Sequence, residues 1–330
     1  MARTTIRCLI EAGVLAVLVA STSAAQPLTF EYLLTLGAQE GVNPHQRLNS
    51  RLGKLVFGKP EHVSPVMVPD SLTVDPDQRV WLTDRAAAGV HIFDLIESRY
   101  KFLRGGGGLN FQCPAGIDSD SEGHIYVVDT CLSWVFVFEK DGSFNHFLKT
   151  GTALKKPVGL AVSRNRKTIY ISDAGRRKIL VFNQEGEQVS EWGGPDIFSY
   201  PATLTIGDKK LFVYDANRRQ VRAFSIQGND LGPLRCDRVK NPTSFGYDEE
   251  RRLIFLGESM YGMVLVYDED GNMVGAFGPH GTGTGEIQGA SGLYVDSWHR
   301  VYVIDTQNAK VVLFRQQGDG VSEIIPRVPK

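Results

Sequence analysis

The chain has 330 residues, of which 42% are hydrophobic and 22% are charged, and its formal net charge is −1. The apolar fraction is too high and the net charge too small for a disordered chain. The balanced charge gives no general attraction to nucleic acid or to an anionic bilayer. Glycine is in excess, since 35 glycines exceed the usual share of about 7%. The glycines do not follow the Gly-X-Y repeat of collagen, so their excess indicates tight turns and many short strands.

Residues 1–25 have the order of a secretory signal peptide. Two arginines precede the apolar run Ala12–Ala20, and the small residues that follow end at Ala25, where we expect cleavage. A membrane anchor is the alternative, but Glu11 interrupts the segment and the apolar part is short. We therefore expect an exported protein, periplasmic or extracellular, with no stable membrane insertion.

Residues 26–65 are predicted to hold a closing strand and a short helix. The segment Phe30–Gly37 has the pattern of an isolated fourth strand, and we expect it to pair with the last repeat. The C-terminal segment Val321–Pro326 competes for the same position. Asn43 and Pro44 have the pattern of a helix cap and first turn, and leucines follow at helical spacing, so a short helix is expected there.

The remaining residues, 66–330, repeat one unit. Each unit has a proline, a strand, a turn, and a second strand that ends in an acid, as in Pro157–Ala174. In the last unit Ala290 replaces the proline. The strand-ending acids follow one another at spacings of 45, 44, 42, 43 and 47 residues, and they are Asp84, Asp129, Asp173, Asp215, Glu258 and Asp305.

Each acid is followed by a short polar loop and a third strand, such as Val135–Phe138. A turn such as Lys140–Gly142 then leads into a fourth strand, and an Asp-Gly pair between apolar runs is a strong hairpin signal. Four antiparallel strands in a repeat of this length make one propeller blade. The sequence therefore predicts an all-β fold, a six-bladed β-propeller of four-stranded antiparallel blades, with the short N-terminal helix beside it.

A strand, an acid, a small polar loop, an apolar third strand and a Gly-rich connector recur most clearly in Pro157–Phe182 and Ser291–Phe314. This pattern resembles the NHL repeat, and the resemblance covers about residues 66–326. The chain is similar to exported bacterial NHL-repeat proteins, which implies a six-bladed propeller. Because propellers host many chemistries, the resemblance implies no particular activity.

Motifs for catalysis or metal binding are weak in this sequence. The segment Asp118–Asp129 matches much of a calcium loop, but the same register in other repeats is a hairpin turn, so we expect no calcium site there. A weakly bound cation at the turn is the alternative. The sequence has no Gly-x-Ser-x-Gly or His-Glu-x-x-His motif. The glycine clusters Gly105–Gly108 and Gly281–Gly285 are expected to be flexible blade connectors rather than phosphate cradles.

Two enzyme families with this architecture use metal ligands that this sequence lacks. The peptidyl-amidoglycolate lyases, which resemble NHL propellers, hold a metal with histidines in the central cavity. The corresponding inner-strand residues of this chain are Ser71, Gly116, Gly159, Thr203, Ser244 and Gly292. Gluconolactonase-like propellers have a metal-binding Asn after the blade proline, where this chain has Val158. We expect no cofactor and no catalysis; a metal-dependent lyase or lactonase that uses the central cavity is the alternative.

The strand-ending acids suggest a ring of carboxylates, but a structural role explains their repetition better. A carboxylate at the end of the second strand can accept hydrogen bonds from the backbone N–H groups of the tight loop that follows. We therefore predict that these acids fix the loops and do not form a site.

The loops after the second strands and the connectors between blades are predicted to share one face, which is the candidate binding site. Arginine and aromatic residues are enriched at binding hot spots. The predicted partner is an acidic protein, peptide or glycan and not a nucleic acid, and the protein is expected to be a monomer. The candidate residues are Arg85, Trp134, Arg176, Arg177, Arg218, Arg219, Tyr261 and Lys310.

Two cysteines flank the first strand pair of the second blade. Cys113 precedes its first strand and Cys131 follows its second strand. Antiparallel neighbours bring both residues to the same end of the blade. The placement allows a disulfide, which needs a Cα separation of about 5.5 Å; two free thiols are the alternative.

Overall fold

The computed structural model describes residues 7–11, 14–18, 28–37, 65–97, 99–150, 154–163, 167–236, 239, 241–258 and 261–317. These residues form β-strands and no helix. The strands in chain order are β1 (Arg7–Glu11), β2 (Val14–Leu18), β3 (Phe30–Leu36), β4 (Pro69–Val74), β5 (Arg79–Asp84), β6 (Gly89–Asp94), β7 (Arg99–Leu103), β8 (Gly105–Gly106), β9 (Leu109–Asn110), β10 (Pro114–Ser119), β11 (Ile125–Asp129), β12 (Trp134–Phe138), β13 (Phe144–Phe147), β14 (Pro157–Ser163), β15 (Thr168–Asp173), β16 (Lys178–Asn183), β17 (Gln188–Gly193), β18 (Pro201–Ile206), β19 (Lys210–Asp215), β20 (Gln220–Ser225), β21 (Asp230–Pro233), β22 (Pro242–Asp248), β23 (Leu253–Glu258), β24 (Met263–Asp268), β25 (Met273–Phe277), β26 (Ala290–Val295), β27 (Arg300–Asp305) and β28 (Lys310–Gln316).

Each blade is an antiparallel sheet of four strands. Blades 1 to 6 are β4–β7, β10–β13, β14–β17, β18–β21, β22–β25, and β26–β28 completed by β3. The predicted six-bladed β-propeller is therefore confirmed.

The helix predicted after Asn43 falls in residues 38–64, outside the described residues. Within the described ranges, no helix has the length and apolar character needed to cross a membrane.

The chain divides into two compact units, and the first comprises Met1–Ser50 with Arg235–Lys330. In this unit β3 pairs antiparallel with β28 and completes blade 6, as the sequence predicts. The ring of Phe30 stacks on Phe277 of β25, with 4.4 Å between the ring centroids. β2 and β1 continue the sheet beyond β3. The competing C-terminal segment, 321–326, lies outside the described residues.

The second unit, Arg51–Leu234, contains blades 1 to 4, and its inner strands pack backbone against backbone. A Cβ atom on Gly159 of β14 would lie 2.0 Å from the carbonyl oxygen of Ala202 in β18. A Cβ atom on Gly116 of β10 would lie 2.6 Å from the backbone nitrogen of Leu160. Glycine within a strand commonly marks such a close approach of another backbone. These glycines therefore set the spacing of the blades.

Side-chain hydroxyls also connect neighbouring blades of the second unit. Thr83 Oγ1 donates to the carbonyl oxygen of Ala115 at 2.8 Å, and Thr130 Oγ1 donates to that of Pro157 at 2.7 Å. Ser172 Oγ makes the equivalent bond at 2.6 Å between blades 3 and 4. Each bond runs from the end of a second strand to the start of the next inner strand, and it fixes neighbouring loops beside each other.

The Gly105–Gly108 cluster is more ordered than the sequence predicts. It forms part of a short hairpin in which β8 pairs with β9. A Cβ atom on Gly106 would lie 2.3 Å from the ring of Phe144. The glycines let this hairpin lie directly on the aromatic ring. The cluster connects blades 1 and 2, as predicted, but it does so as a paired hairpin and not as a flexible segment.

Candidate binding face

At one end of each blade, the strand-ending acid accepts hydrogen bonds from backbone N–H groups. The carboxylate of Asp173 accepts bonds from Lys155 and Lys156, which enter blade 3, at 2.8 and 3.1 Å. It also accepts a bond from Arg176, in the loop after β15, at 3.0 Å. The predicted role of these acids is confirmed, and the same carboxylate fixes the incoming connector as well. Connector and loop therefore lie at the same end of the blade.

The arrangement recurs in the other five blades, whose acids are Asp84, Asp129, Asp215, Glu258 and Asp305. All six carboxylate residues are at most 1% exposed. They are satisfied by internal donors and are closed to a ligand. We call this end of blades 1 to 4, in the second unit, the loop face.

Asp84 shows how strongly this environment favours the charged carboxylate. Burial raises the pKa of Asp84, but His91 and the backbone N–H groups of Met67, Ala87 and Val68 outweigh burial and lower the pKa to about 2. The Nε2 atom of His91 lies 3.4 Å from the carboxylate, and both side chains are fully buried. This aspartate–histidine pair is therefore a structural element of blade 1.

Blades 3 and 4 place six cationic residues on the loop face. We call them the basic cluster: Lys155, Lys156, Arg176, Arg177, Arg218 and Arg219. Five of them are exposed, and Arg176 is partly exposed, with its Nε atom 3.8 Å from Asp173. Arg177 and Arg219 occupy the same loop position in the two blades and share a left-handed backbone, with φ of 55° and 51°. The repeat therefore gives both side chains the same setting.

The loop that carries Arg218 is held to the connector in front of it. Its Nη2 atom donates to the carbonyl oxygens of Asp196 and Pro195 at 3.1 and 3.4 Å. The ammonium of Lys156 lies over the ring of Tyr200, 5.1 Å from its centroid. These contacts hold two of the cations in place while they remain exposed. Lys155 and Lys156 were not among the predicted residues, although a pair of lysines directly before the blade proline could have indicated them.

Blades 1 and 2 contribute Arg85 and Trp134 to the loop face. Arg85 pairs with Asp70 at 2.6 Å, so its charge is compensated. Trp134 is 46% exposed, and its ring meets Phe147 edge to face at 4.6 Å between centroids. Trp134 therefore offers an exposed aromatic ring, whereas the charge of Arg85 is paired.

In the first unit, the structure places the remaining two candidates differently. Tyr261 is 48% exposed in the loop after β23. Lys310 is only 5% exposed, and its ammonium donates to the carbonyl oxygen of Glu286 at 2.9 Å. Burial lowers the pKa of Lys310, and Asp305 and Glu286 oppose this shift. Lys310 ties a connector to β28, and we remove it from the candidate surface.

A disulfide joins Cys113 and Cys131, whose Cα atoms are 5.3 Å apart. The carboxylate of Asp129 accepts hydrogen bonds from the backbone N–H groups of both cysteines, at 3.1 and 3.0 Å. The bridge thus reinforces the connection that the acid already makes between the incoming connector and the loop of blade 2.

The calcium-like segment of blade 2 is occupied by internal contacts. Asp120 accepts bonds from the backbone of Glu122 and His124 and from the hydroxyl of Tyr126. Asp129 lies at the opposite end of β11 and fixes the loop face. Among the described residues, no three His, Cys, Asp or Glu side chains are grouped so that they could hold a metal ion.

Comparison with known proteins identifies the repeat. Residues 111–138 match the model of the NHL repeat. A segment of 134 residues, 39% of this chain, is 27% identical to Protein brain tumor of Drosophila melanogaster. The matched part spans only 13% of that protein's length.

Solved structures share the architecture at low identity. One is a gluconolactonase from Xanthomonas campestris, with a TM-score of 0.61 and 15% identity, covering 76% of this chain and 86% of that one. Another is a catalytically inactive virginiamycin B lyase from Staphylococcus aureus, with a TM-score of 0.57 and 13% identity, covering 78% and 82%. At these identities the likeness shows the fold alone. The chain is therefore a six-bladed β-propeller in which residues 111–138 match the NHL repeat.

Proposed function

We propose that this protein is a non-catalytic binding propeller that docks an acidic protein, peptide or glycan on its loop face. The basic cluster carries this proposal. Its loop backbones are fixed by Asp173 and Asp215, so the side chains present their charge from a rigid support. A preorganised surface loses less conformational entropy when it binds.

Cations outnumber exposed acids on this part of the loop face. In the described connectors and loops of blades 3 and 4, Asp196 is the one acid besides the buried carboxylates Asp173 and Asp215. A patch of one sign steers a partner of the opposite sign and fixes its orientation. The patch therefore favours an anionic partner although the whole chain is close to neutral.

Charge reversal tests the proposal directly. We would immobilise poly-L-glutamate and heparin and measure binding of the full chain by biolayer interferometry. Arg177, Arg218 and Arg219 would be changed to Glu and Arg176 to Gln, since a carboxylate at 176 would repel the nearby Asp173. Binding is expected to weaken at least about tenfold, a loss of about 1.4 kcal/mol.

The control reverses two exposed lysines in hairpins at the other end of the blades, Lys140→Glu and Lys209→Glu. These hairpins, after β12 and β18, lie away from the loop face. This control should keep the affinity of the wild type. Equal binding by all three proteins, or no binding of either probe by the wild type, contradicts the proposal.

A metal-dependent lyase or lactonase is the alternative function. Elemental analysis of the purified protein separates the two, because such an enzyme would retain a stoichiometric metal ion. The binding proposal expects no stoichiometric metal. One bound calcium or transition-metal ion per chain would favour the enzyme.

We also propose that the protein is exported after removal of residues 1–25. The order of basic, apolar and small residues supports this. Removal would take away β1 and β2 and leave β3 as the outer strand of its sheet. The intact mass of protein recovered from outside the cytoplasm should match a chain that begins at Gln26. A full-length mass would contradict cleavage.

A further inference from the structure

Beside the basic cluster, the loop face of blades 1 and 2 exposes large apolar side chains. Trp134 of blade 2 is 46% exposed, and Met67 and Val68 of blade 1 are 46% and 40% exposed. Leu109, in the hairpin between these blades, is 42% exposed. Large exposed apolar groups that lie together mark interaction sites more often than scattered ones do. The loop face thus has an apolar part on blades 1 and 2 and a basic part on blades 3 and 4.

The apolar part of blade 2 is a built surface. The hairpin of β8 and β9 carries Leu109 and lies on Phe144 and Phe147, because Gly106 and Gly107 have no side chains to keep it away. Phe147 in turn meets the ring of Trp134. The hairpin that carries Leu109 and the ring of Trp134 therefore share a contact with Phe147.

This surface borders the basic cluster. Trp134 begins β12, directly after the loop that Asp129 and the disulfide hold in place. Thr130, in the same loop, donates to the carbonyl oxygen of Pro157, the residue that follows Lys156. A ligand that lies across blades 2 and 3 therefore reaches apolar and cationic side chains at once.

We propose, on the basis of the proposed function, that the partner is a protein segment with one aromatic or aliphatic anchor next to a run of acidic residues. The acidic residues complement the basic cluster, and the anchor covers Trp134 and Leu109. Tryptophan and arginine are the residue types that dominate binding energy at protein interfaces. An acidic glycan would use the basic cluster but has no side chain to place on the apolar part.

The geometry favours a peptide over a membrane and over RNA. The ring of Trp134 packs against Phe147. Proteins that insert into a membrane surface instead use an amphipathic element whose apolar face enters the lipid. Base stacking uses aromatic or guanidinium planes, whereas Leu109, Met67 and Val68 are aliphatic. A membrane and an RNA are nevertheless included as probes in the test.

The experiment compares two labelled peptides that differ at one position. Both are runs of glutamate, with a central tryptophan in one and a serine in the other. By fluorescence anisotropy, the full chain should bind the tryptophan peptide about thirtyfold more tightly, the size of one interface hot spot. Trp134→Ala should abolish this preference, and Trp134→Phe should retain part of it. Leu231→Ala, which removes a 53% exposed side chain on the outer strand β21, is the matched control and should retain the full preference.

Each outcome separates this inference from the proposed function. Equal affinity for the two peptides, or an unchanged preference in Trp134→Ala, overturns the anchored peptide but leaves an acidic partner in place. Binding of heparin with no binding of either peptide also overturns it. Tighter binding of oligouridylate, or Trp134-dependent binding to phosphatidylserine vesicles, replaces the peptide with another ligand class. No binding of either peptide or of heparin overturns the proposed function itself.

Discussion

The carboxylate of Asp118, on the inner strand of blade 2, accepts a 2.8 Å hydrogen bond from the backbone N–H of Val162, on the inner strand of blade 3. Its other oxygen accepts a bond at 3.1 Å from Thr73 Oγ1, on the inner strand of blade 1. One side chain therefore connects three blades of the second unit. The first acid of the calcium-like segment is thus a connector between blades.

Replacing Asp118 by Ala should lower the free energy of unfolding by about 2–4 kcal/mol, because two neighbouring blades lose a charged acceptor. Urea denaturation followed by tryptophan fluorescence measures the change. Asp141→Ala, in an exposed hairpin turn, is the control and should remain close to the wild type. Equal stability of Asp118→Ala and the control would show that the interblade bonds contribute nothing.

The close packing of the inner strands leads to a second prediction. Gly159→Ala places a methyl group 2.0 Å from the carbonyl oxygen of Ala202, so blades 3 and 4 must separate. Overpacking of this kind costs about 3 kcal/mol. Gly246→Ala is the matched control, since its methyl group would meet Leu293 and Val295 side chains at 3.3 Å. Equal unfolding midpoints for the two variants would contradict the close approach.

A pH titration of stability tests the environment of Asp84. Its pKa in the folded chain is about 2, whereas an unfolded aspartate has a pKa of about 4. The carboxylate therefore stabilises the fold fully above about pH 4, and this contribution is lost as the pH falls towards about 2. The stability difference between the wild type and Asp84→Asn should narrow across that range. A difference that stays constant below about pH 4 would contradict the lowered pKa.

The disulfide of blade 2 should contribute measurably to stability. Cys113 and Cys131 are separated by 18 positions in the sequence, and closing a loop of about this length stabilises the fold by about 3 kcal/mol. A variant with both cysteines changed to Ser should lose about this amount and become insensitive to a reducing agent. Cys236→Ser is the control and should respond to reduction like the wild type. A wild type that is unaffected by reduction would argue against the bridge.

The periodic features of the fold were predictable from the sequence. Each acid from Asp84 to Asp305 ends a second strand, because its role repeats with the blade. The closing strand at Phe30 was predictable because it carries the pattern of a fourth strand with no blade of its own.

Features that depend on one residue's neighbours were not predictable. In the sequence, Lys310 follows a loop in the same way as exposed loop residues of other blades. In the structure it is buried because the connector that contains Glu286 lies against it. The hairpin at Gly105 follows no blade period, and its order comes from contact with Phe144. Leu109 has no distinctive sequence pattern, and its hairpin is connected to Trp134 only through Phe147.

Hydrogen–deuterium exchange of the full chain, with and without the acidic tryptophan peptide, tests the central claim most directly. We predict slower exchange in residues 130–134, 174–177 and 216–219, the loops that carry Trp134 and the basic cluster. The hairpins at 120–124 and 207–210, at the other end of the blades, should be unchanged. Protection confined to those hairpins, or no protection at saturating peptide, would contradict binding at the loop face.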